Sequence, residues 1–411
     1  MAKLFSDRNR PVHMGRFPTE ILKRSAHMPD LDGLAPWPDL SFQRPAGSAS
    51  LVPAMAEFQA MMDAVRDGLQ NQAPSEIPED RLERSRHLKS FAYFNDISMV
   101  GIAPLGQADR LAAARRNPQI DRLSHALQTR QTKTLAAGID VIMADLRESM
   151  AAKPQPMDHH TYALVFLVAY RRDPRPGEIG CDWVQDAQAE RAAVLGTETA
   201  TVLANYIRIL GYSARAHSAT TCDVDLARLA VKAGLAQVAG DEITHPWLGQ
   251  RFGLAAVTTD MALAPDLPLA ADQPQSALMG LDWTLGRHGG ASRRSHDPYA
   301  RREYAQGAHP FETLKRVETP TTYIDEPNVA RVPKRTDMFA RAQFGDMGPA
   351  LQKGATAGHY ARKAAPSSAQ RRLLGAFVLL QDGEPAAHAQ QIAPEVAADN
   401  IKGASYFLGI D

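Results

Sequence analysis

"YALVFLVAY", residues 162–170, is apolar from end to end, rich in β-branched and aromatic side chains, and closed by the turn-forming "RRDPRPG" that follows. A run of this length is too short for a core helix, so it predicts a central strand. The sequence on its C-terminal side then alternates. "AERAAVLGTETATVLANYIRIL", residues 189–210, predicts a long helix, which Gly211 ends by taking left-handed backbone at no steric cost. A short strand at 212–217, a helix over 223–235 with Asp223 as its N-cap, and a strand through "FGLAAVTTDMAL" at 252–263 follow. Strand and helix in turn predict an α+β fold, an α/β sandwich with its sheet buried.

N-terminal to that strand, "LVPAMAEFQAMMDAVRDGL" places Leu51, Met55, Phe58, Met62, Val65 and Leu69 at helical spacing, one stripe of an amphipathic helix. Leu135, Ile139, Ile142, Leu146 and Met150 repeat that spacing and predict a second helix over 134–150. Residues 1–50 hold many prolines and no sustained apolar period, so they read as an irregular N-terminal arm wrapped over something else. The division is then an arm (1–50), a core (51–270), a loop-rich extension packed on the core (271–380, ending in the apolar "RRLLGAFVLL"), and a linker leading into the start of a second unit (381–411).

Composition narrows the function. The 46 basic and 46 acidic residues cancel, so no global field draws the chain to nucleic acid or to an anionic membrane. No uncharged apolar run reaches the roughly 18 residues of a membrane helix, and the start carries no export-signal pattern, so a cytoplasmic location is expected. Cys181 and Cys222 are the only cysteines of the 411 residues, too few to ligate an iron–sulfur cluster from this chain alone.

The chain also repeats itself. "HLKSFAYFNDIS" at 87–98 matches "NIKGASYFLGID" at 400–411 at one offset: Lys89 with Lys402, Tyr93 with Tyr406, Phe94 with Phe407 and Ile97 with Ile410. Leu88 stands opposite Ile401 and Ala92 opposite Ser405. The last residues read as a second copy of the opening of the first unit.

"ANYIRILGYSARAHS" at 204–218 and "LAVKAGLAQVAGDEITHPWLGQRFGLAAVTTDMALAPDLPL" at 229–269 resemble the core of the corrinoid-dependent reductive dehalogenases and of the related epoxyqueuosine reductase. The resemblance rests on Gly211, Tyr212, Ala214, Arg215, His217, Ala233, Gly234, Leu235, Gly249, Arg251, Thr259 and Asp260, and extends over most of 85–350, with residues 88–102 and 314–349 also similar. It implies a nitroreductase-like core that holds cobalamin in active members. Those members follow the Thr-Asp strand with cysteine clusters for two iron–sulfur centres, yet residues 261–411 contain no cysteine. The resemblance therefore implies a vestigial, non-catalytic N-terminal repeat of a reductive dehalogenase, inactive alone. Its implied partner is a C-terminal catalytic repeat or a separate chain carrying one, and homodimerisation is also allowed. A stand-alone cobalamin- or flavin-binding nitroreductase-like protein is the alternative.

The candidate cofactor-binding residues are Tyr212, Arg215 and His217. Arg215 and His217 alternate on a short strand and share a face with Ser213, so they reach into one place. A guanidinium there can hold a phosphate or carboxylate, or it can close a salt-bridged strand end. "DHH" at 158–160 reads as structural or surface histidines, because adjacent histidines on an extended chain point to opposite faces. The five arginines of 286–304 read as a solvated loop that could receive an anion, and Cys222 beside Asp223 as a buried, inert thiol. No catalytic residue and no metal ligand is assigned.

Overall fold

In the computed structural model, residues 22–44, 49–129, 156–171, 173–174, 176–273, 315, 317–319, 322, 325–355, 365–378 and 391–410 are described. The helix expected over 134–150 and the arginine-rich stretch 286–304 lie outside them.

The run at 162–170 forms the interior strand β3 (Tyr162–Ala169), flanked by β1 (Met99–Pro104) and β8 (Phe252–Thr259), with β4 (Ala214–His217) beyond β8. All neighbours are antiparallel. The register sets Ile102, Leu164, Val257 and Ala216 in one row across the sheet, and all four sit in one buried core cluster. The next row, Gly101, Val165, Ala256 and His217, projects from the opposite face. Two small two-stranded sheets, β2 (Arg110–Arg115) with β5 (Cys222–Val224) and β6 (Gln237–Ala239) with β7 (Glu242–Thr244), accompany the main one.

The first face is covered by α5 (Gln188–Ile209) and, at β1, by α2 (Arg81–Phe94); α1 (Val52–Ala64) and α9 (Ala365–Val378) pack in turn on α5 and complete the same core cluster. Short helices α3 (Ile120–Thr129) and α4 (Cys181–Val184) lie between them in sequence. α5 lies close on the sheet because small residues meet there: a Cβ on Gly253 would come within 2.8 Å of the Ala192 Cβ. Burying a side chain such as Phe166 in this core contributes about 1.5–3 kcal/mol. The second face packs on α6 (Leu226–Lys232), whose Leu229 and Val231 are fully buried. Gly101 is required at that contact, since a Cβ would stand 2.3 Å from the Ala233 carbonyl oxygen. Among the described residues the remaining α-helices are α7 (Met338–Gln343), α8 (Pro349–Ala355) and α10 (Pro394–Leu408).

Boundaries differ from the sequence reading: the strand expected over 212–217 is Ala214–His217, and the one expected through 252–263 ends at Thr259. The helix expected from Asp223 begins at Leu226, and its N-cap is Asp225, whose carboxylate accepts from the Ala227 and Arg228 amides. Residues 222–224 are claimed first by pairing with β2, which places Asp223 in a strand. Along α1 the expected stripe holds at Met55, Met62 and Val65, which are buried, but Phe58 is exposed and Gln59 and Asp63 are buried beside it.

The outer edge of β1 is closed. The Val100 amide donates to the Tyr93 hydroxyl at 3.4 Å, and the Ile102 amide donates to the Asp266 carboxylate at 2.8 Å. The Ile102 carbonyl accepts the Asp266 amide at 2.8 Å, and Pro104 has no amide hydrogen. Lys89 on α2 bonds the other Asp266 oxygen at 2.7 Å, clamping helix to strand.

α2 and α10, which carry the internal match, end in the same way. Asp96 and Gly409, equivalent residues, both take positive φ, 62° and 107°. The Asp96 amide bonds the Tyr93 carbonyl and the Ile97 amide bonds the Ala92 carbonyl; Gly409 to Tyr406 and Ile410 to Ser405 repeat both bonds. This is one Schellman ending at two places in the chain. The helices also begin in register, with extended residues Asp80 and Ala393 at the two N-caps.

Candidate functional site

β4 divides its residues between two environments. Ala214 and Ala216 enter the first core cluster, and Ser213, Arg215 and His217 face the other way. Opposite Arg215 in the register stands Thr258 on β8, and His160 joins them from the loop before β3. The Thr258 hydroxyl lies between two imidazoles, 2.9 Å from His217 Nε2 and 2.8 Å from His160 Nδ1. His160 Nε2 bonds the Ser213 hydroxyl at 2.8 Å. His217 Nδ1 accepts the Asp223 amide at 3.3 Å, so its proton is on Nε2 and is donated to Thr258.

Burial, with Arg66 and Arg215 nearby, holds His217 well below the ordinary histidine range. Burial first, then the neighbouring His159, Arg215 and Arg110, lowers His160 to about 3. Both rings are therefore neutral in the folded protein at neutral pH.

Beside the histidines runs an ionic ladder. Arg215 Nε donates to Asp67 at 2.8 Å, and Arg66 bridges Asp67 at 3.2 Å and Asp223 at 2.9 Å. Arg215 Nη1 stands 3.6 Å from the same Asp223 oxygen. Next to it lies Asp63, buried on α1 and accepting from Gln59, Ser218, Asn117 and Thr220 at 3.2, 2.7, 3.0 and 2.5 Å. Burial pushes this carboxyl above its usual range, against the four donors that pull it down. Arg208 on α5, itself buried, donates to the Ala214 carbonyl at 2.7 Å and is lowered to about 10 by desolvation.

The structure thus joins Arg215 and His217 in one buried network and leaves Tyr212, half-buried against the first core cluster, outside it. Of "DHH", His160 is structural and His159 is half-exposed, 4.0 Å from Asp260. Network residues not singled out from sequence include Asp63, Arg66, Asp67, Arg208 and Thr258. Only the recurrence of polar residues on an otherwise apolar helix face, Gln59 and Asp63, could have signalled the first.

Cys222 donates its thiol to the Val224 carbonyl and is pushed up to about 12 by burial, so it is no nucleophile. Cys181 is also buried, and desolvation raises it. Among the described residues no group of three or more histidine, cysteine or acidic side chains could hold a metal ion. The residues at β4 do not fit a corrin or a flavin as they stand. Both His217 nitrogens are engaged, and the Arg215 guanidinium is committed to Asp67 and Asp223.

No protein-family model matches the sequence, and no curated protein matches it. Solved structures do. The catabolic reductive dehalogenase NpRdhA, N-terminally tagged, matches at 30% identity and a TM-score of 0.72, over 100% of this chain and 52% of that one. This chain is similar to part of a reductive dehalogenase. The same enzyme solved with 3-bromo-4-hydroxybenzoic acid gives 30% identity, a TM-score of 0.70 and the same coverage. A further reductive dehalogenase structure, described in connection with B12-dependent dehalogenation, also matches at 30% identity over 52% of its chain, with a TM-score of 0.70. This chain therefore spans about half the length of the solved dehalogenases it matches. An epoxyqueuosine reductase matches 44% of the chain at 16% identity with a TM-score of 0.23, too little to argue from. No helix among the described residues is long and apolar enough to cross a membrane.

Proposed function

We propose that this chain is one repeat of a cobalamin-dependent reductive dehalogenase, a nitroreductase-like unit that lacks catalytic machinery of its own and supports a second, catalytic repeat. The observation that carries this reading is the match of its whole length to 52% of NpRdhA. The enzyme-level reaction is replacement of an aryl carbon–halogen bond by carbon–hydrogen, with the cobalamin and the iron–sulfur clusters held by the partner repeat. Two features support a platform role. The polar residues at β4 are spent on each other, and two cysteines are too few to ligate an iron–sulfur cluster from this chain alone.

The test compares the 411-residue chain with the full-length product of its natural gene, which this reading expects to be longer. After reconstitution with cobalamin, and separately with FMN, the 411-residue chain is expected to take up neither by ultraviolet–visible spectroscopy. The natural product is expected to bind cobalamin and release bromide from 3-bromo-4-hydroxybenzoic acid under reducing conditions. Stoichiometric uptake of either cofactor by the shorter chain would overturn the platform reading in favour of a stand-alone cofactor protein.

A further inference from the structure

α10 has two faces. Through one it docks on this unit: Phe407 is 2% exposed in the first core cluster, and Ala404 joins it there. Gly403 lies so close to Gly180 that a Cβ on it would stand 2.6 Å from the Gly180 Cα. Arg191 Nε donates to the Phe407 carbonyl at 2.5 Å and Arg171 to the Tyr406 carbonyl at 3.3 Å, cations at the negative end of the helix.

The other face carries Ile401, 59% exposed, and Ile410, 64% exposed, with Val396 and Leu408 also in solvent. The internal match indicates what covers such a face. In α2 the equivalents Leu88 and Ile97 are 0% and 3% exposed, buried in the core that holds β1 and β3. Two further equivalents hold β1: Tyr93 takes the Val100 amide directly, and Lys89 reaches the edge through Asp266. α10 repeats both residues, as Tyr406 and Lys402. The outward residue is exchanged as well, since Phe94, the counterpart of Phe407, is 64% exposed.

Building on the repeat reading above, we propose that α10 belongs to two cores. Its Phe407 face docks on this unit, and its Ile401–Ile410 face is the docking surface for a second α+β unit. The occupant is an antiparallel sheet whose edge strand resembles Met99–Pro104, clasped by Lys402 and Tyr406 as β1 is clasped by Lys89 and Tyr93.

Cysteine labelling tests this, since both thiols of this chain are buried; the label is read at each introduced position by peptide mapping, which keeps cluster cysteines of the partner repeat out of the signal. Ile401→Cys and Ile410→Cys are introduced singly into the 411-residue chain and into the full-length natural gene product, with the exposed Val332→Cys as control. Maleimide labelling at 401 and 410 is expected to be fast in the shorter chain and at least about tenfold slower in the full-length product, with 332 fast in both. Equal rates at 401 and 410 in the two proteins would overturn the proposal, as would a natural product no longer than this chain. Protection in the shorter chain that grows with concentration would also overturn it, making a second copy the occupant. Ile401→Ser and Ile410→Ser, which are expected to leave the melting temperature of the shorter chain unchanged, separate loss of folding from loss of docking. Cobalamin content and bromide release are measured on the same full-length preparations. Fast labelling in an active dehalogenase removes this inference alone, and protection in a protein without cobalamin removes the functional reading alone.

Discussion

Asp63 shows how much of this protein's stability rests on polar residues inside it. Its carboxylate satisfies four donors from α1 and from the segments holding Asn117 and 218–220. Asp63→Ala would leave them facing a cavity, at a cost of about 3 kcal/mol or more, measured by chemical denaturation. His217 supplies a pH signature. Its folded pKa is depressed, so the unfolded chain takes up the proton first; the stability is present above about pH 6.5, the ordinary histidine value, and is lost as pH falls from there. Relative to His217→Gln, the wild-type protein is expected to lose about 1.4 kcal/mol per pH unit below that point. Denaturation midpoints of the two proteins between pH 5 and pH 8, the range of about one and a half units either side of that point, check the slope. A difference that stays flat with pH would mean the ring is already protonated in the folded state.

Among the elements, β3, α5 and β8 were legible because a continuous apolar run, a long period and a terminal glycine are local signals. β5 was not: a three-residue strand paired with the poorly patterned "RLAAAR" of β2 has no periodicity of its own, and only that pairing moves Asp223 out of the helix. The buried polar network was half legible. Alternation puts Ser213, Arg215 and His217 on one side, but their partners Asp67 and Thr258 come from distant segments brought together only by the fold. Glycine contacts give the sharpest tests at this scale. Gly101→Val is expected to drive β1 from the Ala233 backbone and cost about 2 kcal/mol or more, read as a lower melting temperature. Gly403→Ala should lift α10 from Gly180 while leaving the sheet intact, read as faster limited proteolysis within α10 itself. Unchanged proteolysis would show that Phe407 and the arginines hold the helix without the glycine pair.

At the scale of the whole molecule, three layers emerge: helices, an antiparallel sheet, and α6 with its small flanking sheets. Phe166→Ala in the middle layer is expected to cost about 3–5 kcal/mol, enough to unfold a marginal unit, with loss of cooperative melting as the readout. The sheet also bears on how the unit can join anything larger. Along the outer side of β1, the Val100 amide is taken by a phenol, the Ile102 amide and carbonyl by one aspartate residue, and Pro104 has no hydrogen to offer. A strand from another unit would find no donor there to pair with, so on that side growth by strand addition, the usual route to fibrils and swapped sheets, is shut. Larger assemblies built past β1 must therefore meet it by side-chain packing rather than backbone ladder, which makes their geometry a matter of shape rather than of register.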